Sequence, residues 1–194
     1  NREISPMNQD SLASTFEMTS FDAAEPGDLL LIGDGARGSF YGLKVFCGNT
    51  QAIIALSPMR AAAVSAPVMV PADAVSARPC CRFPGFGLAL NVDHRSVLDL
   101  DLVPKPAAGW VFYMPAEERY ILAAALSAES DECVYADLKS GITYAEAPAN
   151  CIAIPHWQLR NHASTLLVSC DARIPVTGIA TKQQRPASVK VVPH

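Results

Sequence analysis

Short apolar runs of about five to eight residues recur along this chain, each closed by Gly, Pro, Asn or Asp. Asp28-Leu-Leu-Leu-Ile-Gly33, Gln51-Ala-Ile-Ile-Ala-Leu56, Gly109-Trp-Val-Phe-Tyr-Met114 and Thr165-Leu-Leu-Val-Ser-Cys170 are examples. Runs of that length between turn residues are buried strands, and they leave little room for long helices. The pattern predicts an all-β or β-dominated fold, an antiparallel barrel or sandwich with at most a short helix. Strands are expected near 28–33, 39–47, 51–57, 66–71, 86–92, 96–103, 110–114, 119–127, 132–138, 141–146, 150–154, 165–170 and 187–192. The segment Val97-Leu-Asp-Leu-Asp-Leu-Val103 alternates most clearly, as a strand with one wet face does. Residues 117–129 are poised between strand and helix, because Glu, Leu and Ala favour helix while the following segment reads as the return arm of a hairpin.

With 50% hydrophobic and 18% charged residues, the 194-residue chain has ample material for a core and is not a disordered composition. Its length suits one large or two small domains. Pro104-Lys-Pro-Ala-Ala-Gly109 is a stiff linker candidate. The expected layout is an N-terminal arm over 1–25, with a helical turn near 9–18, and two β-rich subdomains over 26–104 and 109–194, or one continuous domain. A faint likeness joins the halves. Tyr41-Gly-Leu followed by Ile54-Ala-Leu56 resembles Tyr120-Ile-Leu followed by Tyr135-Ala-Asp-Leu138.

A net charge of −4 makes the chain a poor general binder of nucleic-acid backbone, which requires clustered Lys and Arg. No apolar stretch reaches the ~18 uninterrupted residues of a membrane helix, and residues 1–25 carry no apolar signal core. The six cysteines form no CxxC pair, which leaves no zinc-ribbon or dithiol redox motif. A reducing cytoplasm is the expected setting, with a periplasmic or secreted one as the alternative.

Three constellations carry chemical interest. Gly33-Asp-Gly-Ala-Arg-Gly38 has dinucleotide-loop spacing, but that motif needs a following helix, and Ser39–Gly48 reads as a strand. A hairpin loop is the expectation there. His94, Asp99 and Asp101 could bind a hard cation or act as acid and base; the simpler reading, and the expectation here, is a polar turn followed by a wet strand face. Pro155-His-Trp-Gln-Leu-Arg-Asn-His162 gathers His156, Trp157, Arg160 and His162 within eight residues, a contact-surface composition that matches no metal-ligand spacing; the competing reading is a core Trp157 with the histidines at a loop.

No nucleophile elbow, zinc-protease, Walker A or EF-hand signature is present in the sequence. The expected function is a soluble, bacterial-type, non-enzymatic binding or assembly module needing no cofactor. Its partner would be a protein or a second copy of itself, contacted through Trp157. The competing expectation is a small-molecule enzyme or sensor built from His94, Asp99, Asp101, His156 and His162.

Overall fold

The structure, a computed structural model, describes residues 16–33, 38–56, 66–83, 87–89, 107–160 and 166–171. They form fourteen strands: β1 (Glu17–Thr19), β2 (Leu29–Gly33), β3 (Ser39–Cys47), β4 (Thr50–Ala55), β5 (Val68–Pro71), β6 (Cys80–Phe83), β7 (Gly87–Ala89), β8 (Val111–Met114), β9 (Arg119–Ala125), β10 (Cys133–Asp137), β11 (Thr143–Tyr144), β12 (Ile152–Ile154), β13 (His156–Arg160) and β14 (Leu166–Asp171). A single 3-10 turn at Ala72–Ala74 is the helical content among the described residues. The β-dominated class is as the sequence predicts, and the ambiguous 117–129 segment is strand, paired with β10 as a hairpin.

Eleven strands make one sheet in the order β1-β6-β2-β3-β4-β5-β9-β10-β11, with β8 between β9 and β12; β14-β13-β7 make a second. The two halves of the large sheet share one plan. In the first, β2, β3, β4 and β5 run as a meander and β6 returns beside β2; in the second, β8, β9, β10 and β11 do the same and β12 returns beside β8. The correspondence reaches individual bonds. Gly27 N–H donates to Lys44 O at 2.8 Å, and Gly109 N–H donates to Ala123 O at 2.7 Å. Leu56 N–H reaches Tyr41 O at 2.8 Å, and Leu138 N–H reaches Tyr120 O at 2.9 Å. Both turn glycines take the left-handed backbone that a side chain resists, with φ of 92° at Gly27 and 95° at Gly109. The likeness of Tyr41-Gly-Leu to Tyr120-Ile-Leu therefore marks equivalent positions.

The halves interlock about an approximate two-fold axis. Val68 pairs in parallel with Ala125, and Phe46 with Ile142. Ala125 N–H donates to Pro67 O at 2.9 Å and Phe46 N–H to Gly141 O at 2.8 Å. The small sheet obeys the same axis, with Leu88 of β7 facing Leu159 of β13. Strands β3, β4, β5, β9, β10 and β11 thus curl into a ring, yet its return to β3 is a single bridge rather than a ladder. The result is an open, curled sheet instead of the closed barrel that was one expectation.

Alternate residues divide the sheet into two faces. Leu29, Leu43, Val45, Leu122, Ala124, Val134 and Ala136 share the main core, onto which Trp157, Leu159 and Val168 of the small sheet pack. On the other face of the first half lies a second core of Phe21, Leu30, Ile32, Phe40, Ile53, Val75 and Cys80. Burial on both faces explains why these strands are continuously apolar rather than alternating. Residues 16–25 of the expected arm pack onto the sheet. Phe21 is fully buried and Met18 pairs with Cys81 across β1 and β6. Lys44 reaches this segment from β3; its buried ammonium donates to Phe21 O and Ala24 O, each at 2.7 Å. It also sits 4.5 Å from the Phe21 ring centroid. Among the described residues no disulfide forms, and no helix is long and apolar enough to cross a membrane.

Candidate functional site

The second half differs from the first on the face that carries the second core. Equivalent positions follow from the shared register. Where the first half has Ile32, Phe40, Ile53 and Val70, the second has Met114, Arg119, Tyr135 and Tyr144. The connections leaving β5 and β11 also differ. After β5, Ala72–Ala74 turns down and Val75 buries its side chain, 1% exposed, in the second core. After β11 the chain reads Ala145-Glu-Ala-Pro-Ala-Asn150, which has no large apolar side chain to turn inward. Among the described residues the concavity on this side stays open. It holds a cavity of about 280 Å³ bordered by Met114, Arg119, Ile121, Tyr135, Tyr144 and Glu146. Beyond Tyr135 and Tyr144, which border both, lies a larger one of about 590 Å³ reaching Cys47, Leu126, Glu132, Cys133 and Ala147.

Arg119 organises the polar side. Its Nε donates to Asp137 at 2.6 Å, Nη1 to Glu117 at 2.7 Å and Nη2 to the Tyr144 hydroxyl at 2.6 Å. Hydrogen bonds to Asp137, Tyr144 and Glu117 raise its pKa further. Asp137 is buried at 3% exposure and also accepts the N–H groups of Lys139 and Ser140, both at 2.8 Å. Burial alone would raise the Asp137 pKa; the Ser140 amide, Arg119 and the Lys139 amide outweigh it and hold the carboxyl below its ordinary range. Burial pushes the Tyr135 phenol up, so the ring presents a neutral hydroxyl. Tyr144 and Leu126 are exposed aromatic and apolar side chains bordering this opening. With an apolar floor, two phenols and rim carboxylates, the groove is equipped to bind. Among the described residues no group of three His, Cys, Asp or Glu side chains is placed to hold a metal.

Of the residues singled out from the sequence, His156, Trp157 and Arg160 lie on β13. Trp157 is 2% exposed and donates its indole N–H to Gly109 O at 2.7 Å. It packs as a core residue, the alternative the sequence also allowed. The cause is the alternation of β13, which turns Trp157 and Leu159 inward and His156, Gln158 and Arg160 to the half-buried face. Arg160 there donates to Gln158 Oε1 through Nε at 3.2 Å and Nη2 at 2.8 Å. His94, Asp99, Asp101 and His162 lie outside the described residues. The glycine-rich 33–38 segment joins two antiparallel strands, β2 and β3, so its context is a hairpin rather than a strand-to-helix turn.

Sequence reasoning missed Arg119, Asp137 and Tyr144. Their signal was available only by aligning the halves, where Arg119 and Asp137 replace the buried apolar Phe40 and Ala55. No family model, curated protein or solved structure matches the chain.

Proposed function

We propose that this protein is a binding module whose site is the open groove on the second half, and that its ligand is a small organic molecule with an apolar body. One observation carries the reading. The concavity is filled by Phe21 and Val75 in the first half and, among the described residues, is left open beside Tyr135 and Tyr144 in the second. Two adjoining cavities of about 280 and 590 Å³ are in the size range of small-molecule sites, which are mainly apolar with a few placed polar groups. The two-fold plan gives a rigid sheet beneath the site, so little ordering cost is incurred on binding.

A thermal-shift screen of small apolar compounds tests this, run on the natural chain and on Ala147→Trp, which places an indole in the larger cavity from an exposed position. A ligand at a hundredfold excess over its Kd stabilises the folded state by about 2.7 kcal/mol. Hits that vanish in Ala147→Trp are the expected result. No hits, or hits indifferent to that substitution, would count against the groove.

A further inference from the structure

We infer that the ligand of this groove carries a positive charge: an apolar or aromatic body with an ammonium or amidinium group. The inference rests on the groove being the binding site and adds the chemistry of its occupant. Two features of the lining lead to it.

First, the charge of the opening is unbalanced. Glu117, Glu132 and Glu146 border the two cavities, and Arg119 is the cation bordering them among the described residues. Arg119 does not offset all three. Each of its nitrogens is engaged, by Asp137, Glu117 and Tyr144. Its charge is matched within that cluster by Asp137 and Glu117, at 2.6 and 2.7 Å. Glu132 and Glu146 carry no ion pair among the described residues. They stand at the rims of the larger and smaller cavities respectively. An anionic ligand would meet these carboxylates with no free guanidinium to answer it; a cation meets complementary charge on both sides of Tyr144.

Second, the walls between those carboxylates are aromatic. Tyr135 and Tyr144 border both cavities, so a ligand passing from one to the other lies against phenol rings. Ring faces attract a cation more strongly than a neutral group of the same shape. On the corresponding face of the first half, an ammonium already lies over a ring, Lys44 above Phe21 at 4.5 Å. At the position of Lys44 the second half has Ala123; its own cation, Arg119, lies 5.6 Å from the Tyr144 ring centroid, so Tyr135 is the ring bordering both cavities that the ligand's charge would meet.

The test uses the full chain and three probes of one shape: 3-phenylpropylammonium, 3-phenylpropanol and 3-phenylpropanoate. Affinities are measured by calorimetry at low ionic strength, then with added salt. The ammonium is expected to bind about fivefold tighter than the alcohol, as suits exposed carboxylates, and the carboxylate probe weakest. Salt should narrow the spread, and the double variant Glu132→Gln/Glu146→Gln should abolish it while the alcohol's affinity stays unchanged. Equal binding of ammonium and alcohol, lost together in Ala147→Trp, would overturn the charge inference and leave the groove standing. Failure of all three probes to bind would overturn the groove reading as well.

Discussion

Two tryptophans show how far residue identity alone falls short of role. Trp110 and Trp157 are both fully buried, but Trp157 gives its indole N–H to Gly109 O while Trp110 Nε1 has no partner among the described residues. Trp157→Phe therefore costs a buried hydrogen bond that Trp110→Phe does not, a difference of about 1–2 kcal/mol. Urea denaturation of the two variants measures it, and equal losses would contradict the assigned bond. Trp157→Ala is expected to cost about 3–5 kcal/mol of folding stability, the loss typical of a core aromatic. Asp137 is the second residue-scale case. Its folded pKa lies below that of an unfolded aspartate, about 3.9. The stabilisation is fully present above that value and is lost as pH falls through the depressed folded value. Asp137→Asn should cost about 2–3 kcal/mol at neutral pH, because Arg119 and two amides lose a charged acceptor. The cost should shrink in acid; a penalty unchanged down to pH 2 would show that the charge is not what matters. None of this was legible in the sequence. Asp137 closes an ordinary apolar run, and its partner Arg119 begins another, eighteen residues earlier.

At the scale of elements, turn chemistry made most strands readable. Gly48-Asn49 closes the β3–β4 hairpin with Gly48 at φ 61°. Strands without such punctuation were missed. β1 lies in a polar segment and pairs only at a sheet edge, β6 follows two prolines by one and nine residues, and β13 begins directly after Pro155. Tertiary pairing, not local preference, makes them strands. The glycines of the equivalent turns were readable as turns but not as contacts. A Cβ on Gly27 would lie 2.3 Å from Lys139 O, in the other half of the chain. Gly27→Ala combines that collision with a disfavoured φ and should cost at least about 2 kcal/mol; a neutral thermal shift would mean the halves are not apposed there. Val75→Ala removes the side chain that fills the first half's concavity and should cost about 2 kcal/mol. Hydrophobic-probe binding at a second site should accompany that loss if the two concavities are equivalent.

For the whole molecule, one sheet and one main core draw strands from both halves, through the parallel contacts of Val68 with Ala125 and Phe46 with Ile142. Unfolding is therefore expected as a single cooperative transition, with tryptophan fluorescence and far-ultraviolet circular dichroism coinciding; two separated transitions would mean that the halves fold independently. Internal symmetry was faintly legible in the two tyrosine-led segments, since the register preserves Tyr41 and Tyr120 while almost everything around them diverges. The groove was not legible, because among the described residues it arises from an absence of filling: an alanine-rich loop stands where the other half buries Val75. A titration of the full chain with 3-phenylpropylammonium, followed by two-dimensional amide NMR, tests that groove most directly. Saturable shifts concentrated at Arg119, Tyr135, Tyr144 and Glu146 are predicted. Shifts centred on the β13 face of His156 and Arg160, or none at millimolar ligand, would contradict it.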